Sequence, residues 1–536
     1  MSNAPKSRSL VSIAGIVAVA TLISKVFGLV RQQAIAAVFG VGPAVDAYNY
    51  AYVIPGFLLI LLGGINGPFH SAMVSALSKR SREEAGPLVE TMTTLVGGLL
   101  LVMTLLIFVF AGQLIDLVAP GLGQTTTGLE IREIAIAQLQ IMAPMALFAG
   151  LIGIGFGTLN AADHYWLPSI SPLFSSSAVL LGLGILALSL GRDIIAPEYA
   201  MVGGLVLAWG TLGGAVLQWL IQVPVQWRAG LGRLRLRFNL RQPGVADVLR
   251  VMAPATFSSG MMQINVYTDL FFASFIPQAA AALSYANLLV QTPLGIVSNV
   301  ILVPLLPVFS RLAGPNQRQE LKARIRQGLM LTAITMLPLS ALIVTLALPA
   351  VRVVYERFAF DQEASRLVTS VLIAYGVGMF VYLGRDVLVR VFYGLGDGAT
   401  PFRISIANIF LNAVLDYWLV RSYGAPGLVL ATVGVNAVSM ALLLWLLDRK
   451  LNGLPWQEWL RPFTGLIFAS VAAGAVSWGT RRLVEGWIGG AGLAQQLMAL
   501  LLSATLALAL FGAIALRLGI PEVQLLAGQV RRKLGR

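Results

Sequence analysis

The sequence predicts an all-α integral membrane protein with fourteen transmembrane helices, arranged as two six-helix lobes followed by two C-terminal helices. Of its 536 residues, 57% are hydrophobic and only 11% are charged, whereas soluble domains carry about 25% charged residues. An apolar stretch of about 20 residues crosses the hydrocarbon layer of a bilayer. About fourteen such stretches are present, centred near residues 22, 60, 100, 145, 178, 213, 260, 295, 335, 378, 410, 436, 470 and 505.

The basic residues predict the orientation of the chain. If the N-terminus is cytoplasmic, the cytoplasmic segments carry roughly three times as many Lys and Arg residues as the opposite side. This bias explains most of the net charge of +14 and argues against nucleic-acid binding. Both termini are therefore expected in the cytoplasm. The first apolar stretch runs through two basic residues, which argues against a cleaved signal peptide, and the absence of cysteine excludes disulfides.

The loops and an internal repeat divide the chain into lobes. We predict an N-lobe at residues 1–230, a C-lobe at 245–450, two further helices at 455–520 and a basic cytoplasmic tail at 521–536. Residues 156–171 and 392–405 share one pattern, in which a helix end and a Gly/Asn/Asp turn precede a proline that opens the next helix. A repeat of six helices, an even number, predicts parallel halves related by an axis along the membrane normal.

Four polar residues in the second half of the predicted spans favour a cation site. Asn412 and Asp416 are four residues apart and share one helix face, Asp269 is the acid within span seven, and Thr432 adds a hydroxyl. These are hard oxygen ligands, which suit Na⁺ or a pair of protons. Alternatively, Asp416 meets water near a helix end and Asp269 pairs with a neighbouring helix.

Two basic residues in span one favour an anionic ligand. Lys25 and Arg31 lie within reach of a common cavity, and Asp46 begins span two. Fixed cations at membrane depth attract phosphate, and the guanidinium fork matches phosphate oxygens. The alternative is that both side chains extend to the membrane interface. His70 is either a proton relay or a hydrogen-bonded structural residue. The sequence contains no recognisable catalytic motif, so we predict that the protein is not an enzyme.

Several short segments, in this order and spacing, resemble a known family over about residues 10–450. They are residues 24–31 (SKVFGLVR), 39–40, 46–48, 54–55, 159–160 with Pro168, 253–269, 285–286 with 293–295, 355–360 (YERFAF), 392–394, Asp397 and 400–401. Together they are similar to the bacterial lipid II flippase family (MurJ, also called MviN) of the multidrug/oligosaccharidyl-lipid/polysaccharide exporter superfamily.

The resemblance implies a function in peptidoglycan biosynthesis, and so in the cell wall and cell shape. Members move the undecaprenyl-diphosphate-linked precursor from the inner to the outer leaflet by alternating access, using a cationic cavity for the headgroup and a groove at the last two helices for the lipid tail. The implied location is the bacterial inner membrane. The implied partners are the lipid-linked anionic glycan and membrane lipids, with the transporter monomeric or associated with cell-wall synthesis proteins.

The resemblance also implies roles for individual residues. Arg31 matches a substrate-binding arginine of the family, Lys25 stands where another arginine is usual, and Asp46 matches a family acid. A sodium site is implied for the five residues that fall on the family's sodium-lining positions. They are Asp269, Asn412, Asp416 and Thr432, with the backbone carbonyl of Leu428.

Three positions depart from the family pattern, and the loss of arginines at two of them makes the predicted cavity less cationic. Leu59 and Ile60 stand where the family often has an arginine pair, Leu288 replaces another arginine, and Gln32 replaces an acid. These differences keep two alternatives open: an exporter of another polyprenyl-linked glycan or of small amphipathic molecules, and a non-transporting scaffold of a cell-wall assembly complex.

Overall fold

The structure, a computed structural model, describes residues 10–64, 67–78, 80–239, 241–261, 263–489, 492–525 and 528. Within these residues every regular element is a helix. The contacts divide the chain into two compact units. The first comprises Met1–Ala281 with Arg357–Phe360, and the second comprises Ala282–Glu356 with Asp361–Arg536.

The described residues of the first unit form thirteen α-helices, several of which are short. They are α1 (Leu10–Phe39), α2 (Pro43–Gly63), α3 (Pro68–Leu77), α4 (Arg82–Val109), α5 (Ala111–Val118), α6 (Thr126–Met142), α7 (Met145–Ala161), α8 (Trp166–Ile170), α9 (Pro172–Leu190), α10 (Ala200–Leu220), α11 (Gln222–Arg228), α12 (Val245–Met261) and α13 (Ile264–Ala273).

The second unit is built from longer helices. They are α14 (Ala279–Arg311, whose first three residues are counted with the first unit), α15 (Arg318–Tyr355), α16 (Gln362–Gly394), α17 (Ala399–Tyr423), α18 (Ala425–Lys450), α19 (Trp456–Ile488) and α20 (Leu493–Arg517). Helix α15 packs on α16 and α19, α18 packs on α16 and α17, and α19 packs on α20.

The predicted all-α membrane fold is confirmed, but the count of fourteen spans is not. Among the described residues, twelve helical spans are long and apolar enough to cross a membrane, or thirteen when α6 and α7, bent by 41°, form one span. The predicted seventh stretch, near residue 260, is helical but divided into α12 (17 residues) and α13 (10 residues). Neither segment reaches the length of about 20 residues that a membrane-crossing helix needs.

Close backbone packing joins α2 and α7 in the first unit. A Cβ atom at Gly153 of α7 would collide with the carbonyl oxygen of Leu62 in α2. Buried Tyr50, Ala51 and Met145 belong to the hydrophobic core of the same unit. Small residues at such contacts let membrane helices approach each other closely, which fixes the first unit around α2.

The two repeated turns have the same backbone geometry. Asp163, after α7, has a φ of 64°, and Gly396, after α16, has a φ of 74°. In each case the next amide donates to a carbonyl five residues back, from His164 to Leu159 and from Asp397 to Phe392, both at 2.9 Å. This is the hydrogen bond that ends a helix in a Schellman motif, so the predicted sequence repeat corresponds to one turn used twice.

Asp397 stabilises the second of these turns. Its Oδ2 accepts from the hydroxyl of Thr400 at 2.9 Å and from Nζ of Lys450 at 2.6 Å. The ammonium of Lys450, followed by smaller effects of Thr400, holds the pKa of Asp397 below its usual range. The turn between α16 and α17 is therefore tied to the end of α18.

The two compact units do not divide the chain where we predicted the lobes to meet. The predicted N-lobe at 1–230 lies within the first unit, and the two helices predicted at 455–520 lie within the second. Helices α12 and α13, predicted to open the C-lobe, belong by their contacts to the first unit, because α12 packs on α3 and α13 on α5. The lobe boundaries themselves stay a prediction.

Candidate functional site

Helix α1 presents two cations that have no acidic partner among the residues the structure describes. Lys25 is exposed and Arg31 is half-buried. Among the described residues neither side chain forms an ion pair, and the Nε atom of Arg31 is buried without a hydrogen-bond partner. A buried cationic donor without an acceptor is costly, so the arrangement favours a ligand that supplies anionic oxygens.

Two tyrosines of α2 lie beside Arg31. The rings of Tyr48 and Tyr52 stack with their centroids 5.3 Å apart, near the guanidinium of Arg31. The hydroxyl of Tyr48 lies 3.0 Å from the hydroxyl of Thr211 on α10. No prediction from the sequence included this tyrosine pair, although its four-residue spacing places both side chains on one helix face.

Asp46 is buried, with only 1% of its surface exposed. Its Oδ2 accepts from the amide of Gln278 at 3.1 Å, and its Oδ1 accepts from the amide of Ala281 at 2.8 Å. The carboxylate thus satisfies free donors at the start of α14, which is the usual role of an acid at a helix N-terminus. This geometry favours a structural role for Asp46, and its predicted contact with a substrate stays a prediction.

Four residues predicted to line a cation site lie on two packed helices of the second unit. On α17, Asn412 and Asp416 are fully buried, and the Asn412 amide donates to Oδ2 of Asp416 at 2.8 Å. On α18, the hydroxyl of Thr432 donates to the carbonyl of Leu428 at 3.3 Å. These oxygen donors suit a small hard cation. The structure therefore shows the predicted shared face of Asn412 and Asp416.

A tight glycine turn positions these two helices. Gly424 ends α17 with a φ of 62°, a conformation that favours glycine. At Gly427 a Cβ atom would collide with the carbonyl oxygen of Leu419. The two glycines allow α18 to begin directly against the end of α17, which places Leu428 on the helix next to Asp416.

Asp269, the fifth residue of the predicted sodium set, lies on α13 in the first unit. Within the described parts of the chain, no cluster of three or more His, Asp or Glu side chains forms a metal site. The predicted set does not depend on such a cluster, because it combines two carboxylates with neutral oxygen donors. Its assignment as one site stays a prediction.

His70 has a partner that sequence reasoning missed. Its Nε2 lies 2.7 Å from the amide nitrogen of Asn160 on α7, within hydrogen-bond distance. The contact joins α3 to α7 and corresponds to the hydrogen-bonded alternative considered for His70.

Comparisons with known proteins agree with the sequence resemblance. The family model described as "Lipid II flippase MurJ" matches residues 35–497. The "Probable lipid II flippase MurJ" of Synechocystis sp. is 58% identical over 530 residues, covering 99% of this chain and 98% of the relative. The "Lipid II flippase MurJ" of Burkholderia cenocepacia is 30% identical over 485 residues, covering 88% and 89%.

Solved structures show the same fold. A chain described as "Lipid II flippase MurJ, inward closed conformation" aligns with a TM-score of 0.73 at 22% identity, covering 94% of this chain and 98% of the other. An inward-facing multidrug resistance MATE family transporter of the MOP superfamily aligns with a TM-score of 0.62 at 16% identity, covering 82% and 98%. Both likenesses concern the fold alone.

These matches bear on the alternative that the protein is an exporter of another class. The long family match and the high full-length identity to a curated relative do not favour an exporter of another class. With twelve or thirteen apolar spans in the described part of the chain, this is a multi-pass membrane protein. This chain belongs to the lipid II flippase MurJ family.

Proposed function

We propose that this protein moves lipid II, the undecaprenyl-diphosphate-linked peptidoglycan precursor, from the inner to the outer leaflet of the bacterial inner membrane. The observation that carries the proposal is the pair of cations on α1, Lys25 and Arg31, which have no acidic partner among the described residues. A diphosphate headgroup would supply the missing negative charge. Family membership gives the class of substrate.

Arg31 is the residue best placed to hold the diphosphate. Its guanidinium has a planar fork of donors that matches two phosphate oxygens, and its Nε is already removed from water. Lys25, one and two-thirds turns earlier on the same helix, would add a mobile point charge. The stacked rings of Tyr48 and Tyr52 lie near the guanidinium and would help to orient it.

Transport would proceed by alternating access, in which the protein opens in turn to each side of the membrane. The headgroup of lipid II carries negative charge, so the membrane potential acts on it with about 2.3 kcal/mol per charge per 100 mV. We place both termini in the cytoplasm, from the distribution of Lys and Arg. The protein acts as a transporter rather than an enzyme, as a monomer or together with cell-wall synthesis proteins.

Within the second unit, a sodium ion would be held by Asn412, Asp416, the carbonyl of Leu428 and Thr432, and the participation of Asp269 stays a prediction. The support is the donor chemistry of the four residues on α17 and α18, which present carboxylate, amide, hydroxyl and carbonyl oxygens from two packed helices. When bound, the ion would supply positive charge that balances the buried carboxylate of Asp416. By balancing this charge, ion binding would favour one state of the transport cycle.

Replacement of Asp416 by asparagine should remove any dependence of transport on sodium, because a neutral amide does not balance a bound cation. The measurement is the rate of lipid II movement in proteoliposomes at increasing Na⁺ with ionic strength held constant. Glu458→Gln is the matched control, since Glu458 is an exposed acid at the start of α19 outside the predicted set. An unchanged sodium response of Asp416→Asn would refute the assignment.

The proposed function is tested by complementation of a bacterial strain depleted of its own flippase. Expression of this protein should restore growth and the appearance of lipid II in the outer leaflet, scored by labelling of the exposed precursor. A stable protein in the membrane that restores neither would overturn the proposal. A scaffold of a cell-wall complex would restore growth without requiring the charge of Arg31.

A further inference from the structure

An arginine-rich segment after α11 exposes apolar side chains. Residues 233–238 read Arg-Leu-Arg-Leu-Arg-Phe and form no helix or strand; we call them the basic strap. Leu234, Leu236 and Phe238 are 54%, 83% and 77% exposed. Large apolar side chains that are this exposed indicate a surface that is covered by lipid or by another molecule.

The basic strap is fixed to α4 through its backbone. The amide of Arg233 donates to Oε1 of Glu90 at 2.9 Å, and the amide of Arg237 donates to the hydroxyl of Thr94 at 3.0 Å. The hydroxyl of Thr94 lies 3.4 Å from the carbonyl of Arg235, and the Arg237 guanidinium lies 3.8 Å from Glu90. Because these contacts use mainly backbone atoms, the side chains of the strap remain available.

The anchoring points on α4 lie at the edge of its lipid-facing surface. The exposed large apolar side chains of α4 begin at Leu99 and continue to Val109. Thr94 precedes Leu99 by five residues, which corresponds to about 7.5 Å along the helix axis. This distance places the strap in the layer of lipid headgroups, where amphipathic segments bury their apolar side chains about 5–10 Å into the boundary with the acyl chains.

The positive charge in and around the basic strap indicates which kind of surface covers it. Residues 228–246 contain five arginines and no acidic residue. A basic segment with apolar side chains at the membrane edge is complementary to a bilayer surface that carries anionic lipids. A soluble protein partner is disfavoured because the apolar side chains lie beside the lipid-facing surface of α4.

We propose that the basic strap is an interfacial membrane anchor, with Leu236 and Phe238 inserted at the headgroup boundary and the arginines on phosphates of anionic lipids. The anchor holds the connection between α11 and α12 against the bilayer. It does not depend on which molecule the protein transports.

Site-directed spin labelling tests the anchor, because the chain contains no cysteine and single cysteines can be labelled without background. Leu236→Cys and Phe238→Cys are labelled in the full-length protein, reconstituted in vesicles of phosphatidylcholine with and without phosphatidylglycerol. Oxygen and a water-soluble nickel chelate report the depth of each label. Leu105→Cys, on the exposed apolar face of α4, is the hydrocarbon reference, and Asn452→Cys, in an exposed turn, is the aqueous reference.

Labels at residues 236 and 238 should show a several-fold higher ratio of oxygen to nickel accessibility than the label at residue 452. The ratio should rise further with phosphatidylglycerol, and Arg233→Gln with Arg235→Gln should remove that rise. The double substitution leaves the backbone contacts to α4 in place, so it tests charge alone. Nickel accessibility at 236 and 238 equal to that at 452 would overturn the anchor, and equal depth in both lipids would overturn the role of anionic lipid.

Discussion

Replacement of Arg31 by alanine is expected to abolish rescue of a flippase-depleted cell. Arg31 is the half-buried cation of α1 whose Nε has no acceptor among the described residues. The proposed diphosphate would supply that acceptor. Hydrogen bonds to charged groups contribute about 1.5–3 kcal/mol each, and a bidentate pair makes two of them. Loss of about 3 kcal/mol corresponds to roughly hundredfold weaker binding. Growth and labelled outer-leaflet lipid II are the measurements.

Two substitutions show whether this effect depends on the guanidinium. Arg31→Lys keeps the charge and removes the fork, so we expect partial rescue. Lys25→Ala removes the other cation of α1, which is exposed, and is expected to weaken transport less than Arg31→Ala. Each variant is compared at equal abundance in the membrane. Full rescue by Arg31→Ala would show that this arginine does not hold the headgroup.

The helical membrane fold could be predicted because it depends on local properties. Apolar stretches of about 20 residues identify membrane-crossing helices from composition alone. The sequence predicts one span near residue 260, but the structure divides this stretch into α12 and α13. Breaks of this kind depend on tertiary packing, so counting apolar stretches overestimates the number of uninterrupted spans.

The candidate sites likewise contain some contacts that a local sequence pattern predicts and others that it does not. The hydrogen bond between Asn412 and Asp416 follows from a four-residue spacing that is visible in the sequence. The bonds from Asp46 to Gln278 and Ala281 join positions more than 200 residues apart. The contact of Gly40 with Ala359 is also long-range, since a Cβ atom at Gly40 would collide with the Ala359 carbonyl oxygen. No local pattern predicts contacts of this range.

Replacement of Asp46 by alanine is expected to destabilise the protein by about 2–6 kcal/mol, because each buried donor left without an acceptor costs about 1–3 kcal/mol. The two donors are the amides of Gln278 and Ala281. Thermal unfolding of the purified protein in detergent measures the loss. Asp46→Asn retains one acceptor oxygen and should fall between the native protein and Asp46→Ala.

Asp116→Ala provides the matched control for Asp46→Ala. Asp116 also bonds twice, to Arg132 at 2.6 and 2.8 Å, but more than half of its side chain is exposed, and exposed ion pairs contribute about 0–1 kcal/mol. If Asp46 instead contacts the substrate, the Asp46→Ala protein would unfold at the same temperature as the native protein and would lose only transport. A normal unfolding temperature with lost transport would therefore contradict the structural role, because the start of α14 would not need this carboxylate.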